Sequence, residues 1–369
     1  MQSSKSARTC DVIDGLLRKR SAERVGLFDS PWADTLRKWA KQGYPTNEKG
    51  EPVNPADHFG YDLVSVGGWF DALPLRGVSE MVQETDEWKV VRNGAGAAFK
   101  WWKNKSGTPE HVDFRMTSRA VWERDYRPHL LALDPERLHV ADNRAALERR
   151  RAEGRWTYFG HLFIWENMRQ SMGDMCLYES LLLDPDWIRD YARVYTDFFQ
   201  AHYRTLFAEA GVPDGVWMYE DLGYKGRLFC SPDVLARLIF PYFREMVEFF
   251  HSYDLPVVLH TCGLVEPALD LIVEAGFDAL NPMEVKAGND PLRIARKYGD
   301  RLALIGGLDE RVLETHDRGV IERAVTGLIE GMKSAGARYV FASDHSISTN
   351  VDYDDYRWAL DVYRRHMAY

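Results

Sequence analysis

Through the last two thirds of the chain, short apolar runs alternate with longer stretches in which apolar residues recur at helical spacing. The helix-like stretches end at a glycine, and two to five residues later an apolar run begins. EAGVPDGVWMYE around Gly211, EAGFDALNPM around Gly276, KYGDRLALIGG around Gly299 and SAGARYVFASD around Gly336 all follow this form. Glycine after a helix suits the left-handed position beyond its last turn, and a short run of Val, Leu, Ile and Tyr suits a buried strand. At the opposite turns Asp184-Pro185, Ser231-Pro232, Glu266-Pro267 and Asp290-Pro291 place a capping or acidic residue before a first-turn proline. This alternation predicts right-handed βα crossovers and a parallel sheet. Strands are expected near 61–67, 157–163, 216–220, 256–261, 278–281, 301–306 and 338–343. Seven or more such strands fit a (β/α)8-type barrel or a large open sheet.

Two segments break the pattern. Residues 86–120 carry Asn93-Gly94 between apolar runs, a hairpin signal, and are expected to form an antiparallel insertion over one end of the sheet. Residues 1–60, rich in charge and Trp, are expected to form a helical extension packed on the main body, residues 61–369. No low-complexity linker separates them, so a single domain is expected.

Composition narrows the classes. The 369 residues carry 47 Lys+Arg and 56 Asp+Glu, a net charge of −9, which argues against a general nucleic-acid binder because phosphate neutralisation needs a basic face. Four cysteines are too few for a disulfide framework at this length and point to a reducing compartment. The N-terminus lacks the apolar run of a secretion signal, and nothing approaches the ~18 apolar residues of a membrane span, so a soluble, cytoplasmic protein is expected. The 12 Trp and 18 Tyr are a surplus of rings that line either a core or a pocket for flat, apolar ligands.

In a parallel α/β architecture the site lies at the carboxyl ends of the strands. Five consecutive strand ends here deliver polar groups: Tyr219-Glu220-Asp221, His260-Thr261-Cys262, Asn281-Pro282-Met283-Glu284, Asp309, and Ser343-Asp344-His345. His260-x-Cys262 is the sharpest signal. Alternation puts residues i and i+2 on one face, so imidazole and thiolate point the same way, and borderline-soft Zn²⁺ accepts both. A satisfied core histidine beside a half-buried thiol is the competing explanation. Glu220 and Asp221 could serve as general acid and base, metal ligand or substrate anchor, or cap a loop. His345 could be a ligand or proton donor, or simply brace its loop. Trp69, Tyr158, His161 and Trp165 could form an aromatic wall or pack in the core, with Tyr219, Asn281 and Glu284 as further substrate contacts. Phosphate-binding loops and the nucleophile-elbow arrangement are absent.

At these residues the chain resembles the uroporphyrinogen decarboxylase superfamily, which also contains zinc-dependent, corrinoid-linked methyltransferases. The carriers span roughly 155–369 and include FGHLFIWENMRQSMG (159–173), MYEDLG (218–223), the stretch from Ser231 through LHTCG (259–263), EAGFDALNPMEVKAGNDP (274–291), YGDRLALIGGLDERVL (298–313) and YVFASDHSIS (339–348). The resemblance implies a single distorted (β/α)8 barrel. It is similar to the methyltransferase branch in its H-x-C, which implies that His260 and Cys262 are zinc ligands. That branch carries a third ligand, usually a Cys in the last strand's loop, where this chain has His345; Glu220 is a further candidate. The decarboxylases' RQAGRY-type stretch is missing, and their essential Asp at the first strand's end is replaced by Ser65-Val66-Gly67-Gly68-Trp69-Phe70, with Asp71 out of place.

The resemblance therefore implies a methyltransferase that moves a methyl group between a small methylated compound, a methoxylated aromatic or methylcobamide, and a thiol or corrinoid acceptor. Zn²⁺ would be its metal. The corrinoid would come on a partner protein, since the chain has no D-x-H-x-x-G sequence, and the superfamily suggests a homodimer. Cofactor-free tetrapyrrole decarboxylation and a non-catalytic corrinoid- or ligand-binding barrel are the alternatives.

Overall fold

A computed structural model describes residues 9–369. Eight parallel strands form a nearly closed barrel: β1 (Gly26–Leu27), β2 (Leu63–Ser65), β3 (Trp156–Leu162), β4 (Gly215–Tyr219), β5 (Val257–His260), β6 (Ala279–Asn281), β7 (Ala303–Ile305) and β8 (Tyr339–Phe341). The pairing runs from β2 through β3, β4, β5, β6, β7 and β8 to β1. Seven of these fall where the apolar runs place them. The eighth, β1, has two residues, too short for any periodicity to show. It lies within the first 60 residues, among the helices Thr9–Leu17, Ala33–Lys41 and Pro55–Phe59, and pairs with β8 through Gly26–Val340 and Leu27–Phe341.

Asp62 joins the two ends of the ladder. Its backbone N–H donates to the Leu27 carbonyl at 2.8 Å, and its carboxylate accepts the Leu27 N–H at 2.7 Å. Arg24 grips the same carboxylate through both terminal nitrogens at 2.7 and 2.8 Å. An Asp62→Ala variant is expected to lose about 2 kcal/mol, because a buried N–H loses its acceptor and a half-buried guanidinium its partner. A lowered midpoint in urea unfolding checks this.

Strand alternation sorts the core. Val258, Trp217, Tyr158, Ala279, Ile305 and Val340 face the barrel interior, while Val257, Leu259, Val216 and Met218 pack outward against the helices. Helix Thr9–Leu17 plugs the amino end, with Val12, Ile13, Leu16 and Leu17 buried in the interior cluster. Arg338, just before β8, holds this plug through the Leu16 carbonyl at 2.9 Å.

The expected caps form at Asp184, Ser231 and Asp290, whose side chains accept N–H groups of Trp187, Val234 and Arg293. Glu266 instead opens a 3₁₀ turn and bonds the Asp290 N–H at 2.9 Å. Gly211, Gly276 and Gly336 have positive φ, as expected after a helix. Gly299 does not: its φ is −63°, and it is held small by the Ala295 carbonyl and Ala337, which a Cβ would approach to 2.6 and 2.8 Å.

The antiparallel insertion is a four-stranded sheet, Ser79–Glu84, Trp88–Asn93, Ala97–Trp102 and Glu110–Phe114, wider than one hairpin and shifted toward the N-terminus. Asn93 forms its central turn, accepting the Ala95 and Ala97 N–H groups at 2.9 and 3.1 Å. Because it is inserted between β2 and β3, the sheet emerges at the carboxyl end of the barrel. Its last hairpin is latched there, with Asp34 N–H to Ser106 Oγ at 3.2 Å and Ser106 N–H to the Asp34 carboxylate at 3.3 Å. Among the described residues, no helix is long and apolar enough to cross a membrane.

Candidate metal centre and its cavity

A cavity of ≈ 520 Å³ opens at the carboxyl end of the barrel. Its floor includes the end of β5. Val258 and His260 point inward, and the chain then turns at Gly263, whose φ is +80°. A Cβ at Gly263 would lie 2.1 Å from the Gly223 carbonyl carbon, so only glycine lets the β5 loop pack against the β4 loop. That approach sets Cys262 beside Asp221, whose Oδ1 accepts the Cys262 N–H at 2.8 Å.

Asp221, His260 and Cys262 present one ligand atom each, all within 4.8 Å of one another. Cys262 Sγ lies 3.4 Å and Asp221 Oδ1 3.9 Å from His260 Nε2. The other imidazole nitrogen, Nδ1, lies 2.6 Å from Asn281 Oδ1, while Asn281 Nδ2 donates to the Ile305 carbonyl at 3.2 Å. With the amide so oriented, His260 Nδ1 carries the hydrogen and the Nε2 lone pair faces the thiol and carboxylate. Orientation of a ligating imidazole through its second nitrogen is the usual support of a metal site. Burial lowers the His260 pKa, which keeps that lone pair available. Burial and the nearby Asp221 and Glu284 carboxylates raise the Cys262 thiol well above its ordinary value. A dication beside the sulfur reverses that cost. A neutral imidazole, a thiol and a carboxylate converging on one point fit Zn²⁺.

Two expected ligands stand elsewhere. His345 lines the same cavity, but its ring packs near Trp32 at 6.4 Å and lies outside the three-residue group. Glu220 is fully buried and turned away from the cavity, toward the start of helix Ile164–Leu183. Its carboxylate accepts the N–H groups of Phe163, Trp165 and Glu166, the Trp165 bond at 2.6 Å and the Glu166 bond at 3.3 Å. Burial pushes the Glu220 and Glu166 carboxyls above their usual range, helped by Glu166 in the case of Glu220 and by Asp221 in the case of Glu166. Glu220 is thus a helix anchor, and Asp221 alone of the pair faces the cavity. The strand's alternation separates them, one outward and one inward.

The expected aromatic wall divides similarly. Tyr158 and Tyr219 line the cavity with Trp217 and Phe28, the Tyr158–Trp217 and Phe28–Trp217 rings lying 4.8 and 5.1 Å apart. Burial pushes the Tyr219 hydroxyl up to about 12. Trp69 is 44% exposed and lies over His161 and Tyr219 at 5.1 and 5.5 Å, at the rim and outside the lining. His161 is buried, with its two ring nitrogens against the Leu162 and Phe70 carbonyls, and burial pushes its pKa down to about 4. It supports the β3 loop and does not reach the cavity. Glu284 accepts the Gly263 N–H at 2.7 Å and braces the β5 loop from behind.

The sequence reasoning missed Asp29 and Trp32, which also line the cavity, as does Ser343 from the expected β8 strand end. The signal was present for Asp29: Val25-Gly26-Leu27-Phe28 is an apolar run ending in a carboxylate, the same form as the other strand ends.

An eight-stranded barrel with a half-buried histidine–cysteine–aspartate group at its carboxyl rim defines the class of molecule. The model of the uroporphyrinogen decarboxylase (URO-D) family matches residues 168–366, more than half of the chain, and the chain belongs to that family. Among solved structures, a methyltransferase from Methanosarcina mazei shares the fold. It aligns over 98% of this chain and 99% of its own at a TM-score of 0.69 and 14% identity. A 3-keto-D-glucoside 4-epimerase from E. coli aligns over 61% of this chain and 83% of its own, with a TM-score of 0.34 and 13% identity. No curated protein matches the chain in sequence.

Proposed function

We propose that the protein is a zinc-dependent methyltransferase that works with a corrinoid protein. The observation that carries this is the convergence of Asp221, His260 and Cys262 on one point at the end of an aromatic-walled cavity. These three residues would hold the zinc, which supplies a Lewis acid able to polarise a methyl-bearing oxygen or to keep an acceptor thiol deprotonated. Asn281 fixes the His260 tautomer, so the Nε2 lone pair needs no reorganisation to bind. Tyr158, Trp217 and Tyr219 hold an apolar or aromatic group and exclude water from it. His345 lines the same cavity and would hold or pass a proton there.

The lining also weighs on the alternatives. No Arg or Lys is among the described residues lining the cavity, so nothing there balances the carboxylates of a tetrapyrrole. That favours a small neutral substrate over the decarboxylase reading. A non-catalytic barrel would show corrinoid binding without turnover.

Metal removal tests the proposal. Freshly purified protein is expected to hold about one zinc per chain and to transfer methyl groups to or from a corrinoid in an absorbance assay. Chelation should abolish transfer, and added Zn²⁺ should restore it. Protein without metal, or transfer indifferent to chelation, would overturn the proposal.

A further inference from the structure

Asp29 follows β1, and His260 ends β5. With the pairing order running β1, β8, β7, β6, β5, these strands lie four apart in a ring of eight, so the two residues face each other across the barrel. Asp29 is buried, yet it lines the cavity. Its Oδ2 accepts three bonds, from Ser343 Oγ at 2.9 Å, Ser343 N–H at 3.3 Å and Tyr356 Oη at 3.2 Å. Its Oδ1 accepts only the Ser30 N–H, at 3.0 Å. The donors crowd onto Oδ2 and leave Oδ1 with one, so Oδ1 keeps an open acceptor position. Tyr356 spends its O–H on Asp29, so the Tyr61 hydroxyl, 2.7 Å away, donates to Tyr356.

No arginine or lysine accompanies this carboxylate in the lining, and burial pushes its pKa up to about 7. A buried acceptor with one open position and no cation favours a neutral hydrogen-bond donor from the ligand. Phe28, Tyr158, Trp217 and Tyr219 form the walls between the two poles, and such faces suit a flat ring.

We propose that Asp29 is a specificity-determining residue that accepts a hydrogen bond from a neutral hydroxyl on an aromatic substrate, directing the ring's opposite end toward Asp221, His260 and Cys262. The orientation of the methyl-bearing end rests on the methyltransferase reading; the hydroxyl anchor does not.

Calorimetric titration of the full chain with 4-methoxyphenol and 1,4-dimethoxybenzene tests it, since the second replaces the phenol's O–H donor by O–CH3 and keeps the ring and the other methoxyl. Wild type is expected to bind the phenol at least ~10-fold more tightly, equivalent to about 1.4 kcal/mol. In Asp29→Ala that preference should shrink to within about twofold, while affinity for 1,4-dimethoxybenzene, and hence the pocket, stays unchanged. Equal affinities in wild type, or an undiminished preference in Asp29→Ala, would overturn the proposal; the wild-type comparison decides even if the variant does not fold. Stronger binding of 4-methoxybenzylammonium than of the phenol would also overturn it, since the anchor would then take a cation. Absent methyl transfer with the phenol preference intact would count against the methyltransferase reading alone.

Discussion

Cys262→Ala is expected to leave the purified protein without zinc and to lower methyl transfer at least ~100-fold, with little change in thermal stability. Substitutions behind a metal ligand typically cost 10–100-fold in affinity or activity, so loss of a ligand atom should exceed that range. The thiol is the only sulfur donor in the group, and Asp221 and His260 alone present two atoms where zinc takes four ligands. Stability should be spared because the backbone N–H of residue 262 keeps its bond to Asp221 and the side chain lies at the cavity, not in the helix-facing core. Zinc content by mass spectrometry, transfer rate and melting temperature, measured on one preparation, separate loss of metal from loss of fold. Zinc retained at wild-type stoichiometry with unchanged transfer would remove Cys262 from the centre. An Asn281→Leu variant should fall between: the ligands remain, but His260 loses the partner that fixes its tautomer.

The barrel was legible because its grammar is local. Strands β2 to β8 are runs of apolar residues that end in polar groups, and all but β5, which follows Ser252-Tyr253-Asp254, come after a helix with a glycine at or near its end. β1 was not legible, because two residues carry no period, and what makes Gly26–Leu27 a strand is its distant partner Val340–Phe341 and the Asp62 clasp. Asp29 went with it, although the apolar run Val25–Phe28 before it has the same local form as the other strand ends. Placement at a strand end identified His260 and Cys262, since alternation along one strand determines which side chains share a face. It could not rank Glu220 against Asp221, or exclude His345 and His161. Which of two neighbours turns inward depends on where the strand stops relative to the β3 and β5 loops. The N–H groups of Phe163, Trp165 and Glu166, 54 or more residues away in sequence, draw Glu220 outward.

That inversion makes the second large effect one of stability. Glu220→Ala should destabilise the fold by about 4 kcal/mol, because three buried backbone N–H groups at the start of helix Ile164–Leu183 lose their acceptor. Phe163 and Ile164 beside it are fully buried, leaving water no ready access. Glu220→Gln should recover part of the loss. One amide oxygen can still serve Trp165 and Glu166, but the amide nitrogen then faces the Phe163 N–H, donor against donor. Asp221→Ala should behave in the opposite way, losing zinc with a much smaller drop in melting temperature than Glu220→Ala, since only the part-buried Cys262 N–H loses its acceptor. A melting-temperature series over the four proteins reads both adjacent positions at once. If Glu220→Ala melts with wild type, or if Asp221→Ala is the one that unfolds, the assignment of anchor and ligand along this strand is reversed.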